Sequence, residues 1–306
     1  MSEIARKRRS FGAWLVVLVP ALWLAALFLV PFLIVLKISF SETVIAQPPY
    51  LPVFDPAAGW QGFGEFLSAL SLGNYATLFS DMLYLTSYLR SLQIATVSTL
   101  LLLVIGYPIA YSIARAPNRA QSILVMLVVL PFLTAFLIRI YAWINILQPE
   151  GLLNNALMAF GLVREPVVWL ASDTAIYIGI VYSYLPFMAL PLYAALEKMD
   201  DTLLEAAADL GCPRWKAFWL VTVPISLPGV IAGGMLCFIP IVGEFVIPDL
   251  LGGSEAMMIG QTLWNEFFAN RDWPVASAVA VALLCLLLVP IVIHQHLQMR
   301  ELEKGR

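Results

Sequence analysis

An all-α, polytopic membrane protein with six transmembrane helices and both termini in the cytoplasm is the fold this sequence predicts. Three observations predict it: an excess of apolar residues, six long stretches without charge, and a lopsided placement of the basic residues between them. Of the 306 residues, 61% are hydrophobic and only 12% are charged, with a mean hydropathy of +0.87. A soluble domain carries about 25% charged and 45–50% apolar residues. Too few charges remain to clothe a water-facing surface of this size, so the surplus apolar surface faces lipid. The net charge of −3 offers no basic field, which excludes nucleic acid as a partner.

Uncharged stretches run from Ser10 to Leu36, Ser91 to Ala114, Ala120 to Ile138, Thr174 to Leu196, Ala217 to Gly243 and Pro274 to Met299. Each is close to or above the ~20 residues that a helix needs to cross a hydrocarbon core of about 30 Å. The spans are therefore expected near 12–38, 91–114, 120–146, 174–196, 225–250 and 274–297, within one transmembrane domain covering residues 1–306. Arg6-Lys7-Arg8-Arg9 before the first span resembles the start of a signal peptide. The apolar run after it is too long and no A-x-A site follows, so a retained first helix is expected. The short Arg115–Arg119 connection makes the second and third spans a tight hairpin. With the N-terminus in the cytoplasm, twelve of the 17 basic residues fall on that side. Lys37, Arg90, Arg139, Arg164 and Arg271 are left outside.

Two outer segments exceed a simple turn. Residues 39–90 hold Pro48-Pro49, Pro52 and Pro56 and then an amphipathic stretch around Phe63–Phe79; residues 148–173 contain Gly151-Leu152-Leu153-Asn154-Asn155, the start of a short interfacial helix. Both are either plain connections or a platform for an external partner. Cys212, Cys237 and Cys285 are odd in number and lack C-x-x-C spacing, so neither a disulfide framework nor a metal site is expected. His294 and His296 near a helix end read as an interfacial feature.

The connection between the fourth and fifth spans, residues 197–224, differs from its surroundings. Asp200 to Gly211 reads as a short helix with acids in its first turn, where the helix dipole favours them, and glycine at the C-terminal cap. Pro213 suits the first turn of a second helix over Arg214–Val223, closed by Pro224. The whole is an elbow projecting into the cytoplasm. It contains Glu205-Ala206-Ala207, then Gly211, then Val221-Thr222-Val223-Pro224. This spacing resembles the EAA loop of permease subunits in binding-protein-dependent ABC importers, whose ending is more often I-x-L-P. The alanines keep one helix face thin enough for a cleft of a soluble partner, Glu205 can pair with a basic residue there, and Gly211 lets the backbone turn.

The resemblance extends to Pro31–Val35, Ile105–Pro108, Phe136–Trp143, Tyr177–Tyr182, Leu185–Met188, Gly243–Gly253 and Asn270–Pro274, and so covers most of residues 12–297. These stretches are similar to the polyamine group of importers, for putrescine and spermidine, and most of all to its putrescine branch. The resemblance implies the type I importer fold in a bacterial inner membrane. It also implies four kinds of partner: a second homologous permease subunit, two ATPase subunits, a periplasmic polyamine-binding protein and membrane lipid. ATP and its magnesium would belong to the ATPase subunits. This chain has no G-x-x-x-x-G-K-[ST] loop, so no cofactor and no catalytic residue are expected in it.

A polycation with methylene spacers needs carboxylates for its ammonium ends and aromatic faces along its route. Ionisable residues at membrane depth are costly and therefore suspect. Glu244 leads, because Pro240 and Gly243 interrupt the helix beside it and broken helices line transporter cavities. Asp249, Tyr141, Trp143, Tyr182, Tyr184 and Asp272 complete the substrate-pathway candidates. Bland readings compete. Glu244 and Asp249 can lie in water at the outer interface, Tyr141 and Trp143 can form an interfacial belt with Arg139 snorkelling beside them, and Asp272 can merely cap the last helix. Other solutes on the same architecture, and a stand-alone secondary transporter, are the alternative functions. The second of these leaves the elbow unexplained.

Overall fold

A computed structural model describes residues 11–53, 64, 66, 68–253 and 256–304. The basic cluster Arg6–Arg9, Pro56, Phe63 and Arg306 lie outside the described residues. The chain divides into two compact units, one of residues 1–81 with 265–286 and one of residues 82–264 with 287–306.

In the first unit, α1 crosses as Val16–Ser39, with a wider π turn over Ala25–Leu29. None of its most apolar window is buried within the chain, so its sides are left to lipid and partners. Strands β1 (Glu42–Thr43) and β2 (Tyr50–Leu51) pair antiparallel, a small ribbon that the all-helical expectation did not contain. Helix α2 (Gly73–Ser80) follows, tied back by Asn74, whose side-chain amide donates to the carbonyls of Ser39 and Ser41 at 2.9 and 2.8 Å. Lys37 is anchored rather than loose: it donates to the Pro52 carbonyl and lies 4.2 Å from the centre of the Tyr50 ring. The first part of α12 (Trp273–Lys304) completes this unit.

The second unit contains α3 (Met82–Ala114), α4 (Asn118–Leu133), α5 (Phe136–Leu147), α6 (Leu152–Ala159), α7 (Asp173–Glu197), α8 (Thr202–Asp209), α9 (Arg214–Val242), α10 (Val246–Leu251) and α11 (Ile259–Trp264). Its centre is the trio α3, α7 and α9. One face of α3 buries Ser87, Ser91, Ala95, Ser98, Leu102, Gly106 and Ala110. These recur at helical spacing and are mostly small, which lets backbones approach where lipid offers no hydrophobic drive between helices. Ile176, Ile180, Met188 and Leu192 of α7 and Cys237 and Ile241 of α9 fill the remainder.

Among the described residues, five helices are long and apolar enough to cross a membrane, and a bent pair makes a sixth. The bent pair corrects the third expected span, 120–146. Its segments Asn118–Leu133 and Phe136–Ala159 meet at 88°. Pro131 tightens the preceding turn to a 3-10 helix, and Thr134 is extended at φ −86°, ψ 152°, so the helix cannot continue. Two other boundaries shift. Helix α3 starts nine residues before the expected Ser91, because Arg90 is paired with Asp173 and the charge does not end the helix. The fifth span begins at Arg214 rather than 225 and ends at Val242. Pro224 does not close a separate elbow helix as expected. A π turn over Phe218–Thr222 precedes it, removing the regular-helix bond that proline cannot make, and α9 runs through. The short helix foreseen after Gly151 is present as α6. Its Asn154 is fully buried, accepting from the Trp169 ring N–H at 3.0 Å and the Val167 N–H at 3.1 Å.

Candidate functional site

The elbow forms as its residues dictate. Asp200 accepts the Thr202 N–H at 3.0 Å and starts α8; that bond holds the Asp200 carboxyl below the usual carboxylate range. At the other end Gly211 adopts φ +75°, the Gly211 N–H reaches the Ala208 carbonyl at 2.8 Å and the Cys212 N–H reaches the Ala207 carbonyl at 2.9 Å. This is the left-handed helix stop that glycine takes without penalty. Space does not require the glycine, since an added Cβ meets nothing within 4 Å; the backbone angle does. Helix α8 buries none of its side chains. Glu205 and Ala206 are exposed, Ala207 is half-buried, and Leu203 and the capping Leu210 stand open, Leu210 at 88%. Eight residues are too few for a stable lone helix, and the face of α8 is left uncovered within the chain.

The second cluster lies where α9 ends. Gly243 leaves helical geometry, and the chain re-enters a helix at Val246. Glu244 fills the gap. Its Oε1 accepts the N–H groups of Phe245 and Val246 at 3.2 and 3.1 Å, and its Oε2 accepts the Tyr184 hydroxyl at 2.7 Å. A carboxylate offers about four acceptor positions, so one stays open for a ligand after these three. Helix α11 closes over the break. Ser91 accepts its first N–H, from Ile259, at 2.8 Å, and Thr262 donates to Ser87 at 3.0 Å. A side chain at Gly260 would stand 2.3 Å from the Gly243 carbonyl, so only glycine permits this approach.

From Tyr184 a row of rings leads away. Phe187 lies 6.0 Å from Tyr184, Phe132 lies 5.2 Å from Phe187, and the Arg139 guanidinium sits 5.2 Å above Phe132 and 5.6 Å above Phe136. Arg139 corrects the snorkelling expectation. It is only 7% exposed and its Nε has no hydrogen-bond partner among the described residues. The helix break just before it turns the first turn of α5 inward, so the side chain enters the protein instead of the interface.

The remaining candidates separate. Trp143 and Tyr182 meet edge to face at 5.4 Å and line an apolar groove of about 530 Å³ with Leu101, Ile105 and Tyr177. Tyr182 and Tyr184, two residues apart on one helix, point to different sides, so they do not share a site. Tyr141 is 54% exposed. Asp249 is exposed and accepts from Gln261 at 3.0 Å. Asp272, in the first unit, caps α12 by accepting the Val275 N–H at 3.1 Å and receives the Thr43 hydroxyl at 2.6 Å. Sequence reasoning missed Phe132, Phe187, Arg139, Arg115 and the buried Glu266, which accepts from Asn270 at 2.9 Å. Pro131, three residues before the break at Thr134, was the available signal for Phe132 and Arg139.

A bundle of long apolar helices with an exposed elbow on one connection and a carboxylate at a helix break defines the class of helical membrane transport components. The sequence profile of the binding-protein-dependent transport system inner membrane components matches residues 102–301, and this chain belongs to that family. It is similar to the spermidine/putrescine transport system permease protein PotB of Haemophilus influenzae, with 37% identity over 89% of this chain and 89% of the relative. PotB of Escherichia coli K12 is 40% identical over 70% of this chain and 77% of the relative. Among solved structures, a bacterial alginate ABC transporter in complex with an alginate pentasaccharide-bound periplasmic protein shares the fold. The TM-score is 0.71 at 18% identity, covering 94% of each chain. The chain is therefore a multi-pass inner-membrane permease with the type I importer fold.

Proposed function

We propose that this chain is the permease subunit of an ATP-driven importer that moves polyamines, putrescine or spermidine, delivered by a periplasmic binding protein. The observation that carries the reading is Glu244, an oriented carboxylate with a free acceptor position at a helix break, reached along a row of aromatic rings. An ammonium group pairs with such a carboxylate, and the ring faces support a cation by about 0.5–2 kcal/mol each. The names of the relatives agree with that cargo. The exposed elbow Glu205–Gly211 is the surface for an ATPase subunit. The complete machine pairs this chain with a second homologous permease and two ATPase subunits, which bind ATP and magnesium and carry out hydrolysis. Closure of the ATPase dimer pushes the elbow and opens the cavity to the loaded binding protein; hydrolysis resets it.

Buried Arg139 favours a second reading, an organic anion on the same architecture. Uptake of labelled putrescine by cells carrying the whole complex separates the two. Competition by spermidine and a drop of about tenfold or more in Glu244→Gln, with assembly intact, is the expected outcome. Uptake untouched by that substitution removes Glu244 from the pathway, and competition by anions alone assigns the cargo to the second class.

A further inference from the structure

Tyr107 and Tyr111 on the last turns of α3 and Arg115 just after its end follow one another at intervals of four, and the Arg115 N–H still bonds the Tyr111 carbonyl at 3.1 Å, so the three form one stripe. Both legs of the elbow meet this stripe. On the leg entering α8, Asp201 makes an ion pair with Arg115, and the Met199 sulfur lies 3.9 Å from the Arg115 Nη2. On the leg leaving it, the Phe218 ring packs edge to face on Tyr107 at 5.5 Å and on Tyr111 at 5.9 Å. Tyr111 also lies beneath the Arg115 guanidinium, at 5.6 Å from its ring centre, and the Tyr107 hydroxyl is 2.8 Å from Ser226 Oγ on α9. Arg115 is largely covered while Asp201 is 71% exposed. A guanidinium packed against a ring and a thioether keeps its direction, and a single carboxylate then fixes the neighbouring chain to it.

From this geometry we infer that the stripe Tyr107–Tyr111–Arg115 is the seat of the elbow, and that Arg115 is a positioning residue that locks the elbow to the second span through Asp201. The inference rests on the reading of the elbow as the surface driven by an ATPase subunit. A push on α8 reaches the bundle only if its two legs cannot swing independently. The ion pair fixes the first leg and the Phe218 contacts fix the second, both on one rigid helix. At its other end the same helix carries Arg90, paired with Asp173 at the first turn of α7, so α3 is bound to its neighbours near both ends. The seat therefore delivers movement of the elbow to the α3–α7 pair as a unit. Without it, α8 moves with its partner while the spans stay behind.

The test uses the whole complex in proteoliposomes with its binding protein and reads two quantities together, labelled putrescine accumulated and ATP hydrolysed. In Arg115→Gln and in Asp201→Asn, transport per ATP is expected to fall by about fivefold or more, the lower end of ordinary coupling energies, while the ATPase subunits still co-purify. Asp201 is exposed, so its variant folds even if a change at Arg115 disturbs packing. The exchanged pair Arg115→Asp with Asp201→Arg is expected to recover most of the lost ratio, which a merely structural role at either position does not produce. An unchanged ratio in Asp201→Asn, or an exchanged pair no better than the single variants, overturns the seat. A wild-type complex that accumulates no putrescine instead overturns the polyamine reading and leaves the ratio to be measured on the true cargo.

Discussion

The elbow and the Glu244 cluster are built in opposite ways. Helix α8 and its stop are made from consecutive residues, Asp200 to Cys212, and bury nothing. The Glu244 cluster joins residues 60 positions apart, closed over by Gly260 and held by Ser87 and Ser91 of a third helix. On the proposed reading the elbow is a surface for another protein, prepared locally and left open, and the cluster is a site for cargo, enclosed by several spans. The two regions should therefore fail differently: variants on the exposed face of α8 lose transport and stimulated hydrolysis together, whereas cluster variants lose transport and leave basal hydrolysis in place.

Four changes sharpen that contrast, taken from the strongest. Glu205→Lys reverses a charge at the elbow surface. Such reversals at interfaces cost about 2–5 kcal/mol, so uptake and stimulated ATPase activity are expected to drop together by more than about thirtyfold in reconstituted complexes. Loss of uptake with full stimulation breaks the contrast. Glu244→Gln removes a charge-assisted contact of about 1.5–3 kcal/mol; initial uptake rates should fall about tenfold or more, with hydrolysis retained. Tyr184→Phe deletes one of the three donors that aim this carboxylate and should cost about two- to tenfold in the same assay. Tyr141→Phe stands outside both regions, and its uptake should stay within about twofold of wild type. A large effect there would move the pathway toward the exposed side of α5.

Two stability measurements probe the parts that frame these sites. Gly211→Ala forces a Cβ into φ +75° and should cost about 1 kcal/mol, with a lower thermal midpoint than wild type. Asn154→Leu leaves the Val167 and Trp169 N–H groups without their buried acceptor. About 1–3 kcal/mol of local stability is lost, seen as faster proteolysis of the 148–172 segment.

The elbow was legible because everything it needs is local: acids at the start, alanines between, glycine where φ turns positive. Hydropathy located the spans for the same reason, since a run of uncharged residues is a local property. It could not see the 88° break, because Pro131 and Thr134 lie within a run that is uncharged throughout. Arg139 was misplaced as a consequence. A charge beside Tyr141 and Trp143 fits an interfacial belt if the helix is straight, and only the break turns it inward. The helix break at Glu244 was legible from Gly243 and Pro240, but the partner of its carboxylate was not unique. Tyr182 and Tyr184 are equivalent in composition, and the direction each takes from α7 depends on how α7 packs against α9. Pro224 misled for a related reason, since the π turn that lets α9 pass through it has no sequence mark of its own.

The central claim is that this chain moves a polyamine only when a separate ATPase acts on its elbow. The most direct measurement is accumulation of labelled putrescine in proteoliposomes holding this permease and its companion permease, with the binding protein present, with and without the ATPase subunits and ATP. The expected result is concentrative uptake in the complete system and none when the ATPase subunits are omitted. Equal uptake without them would contradict the account.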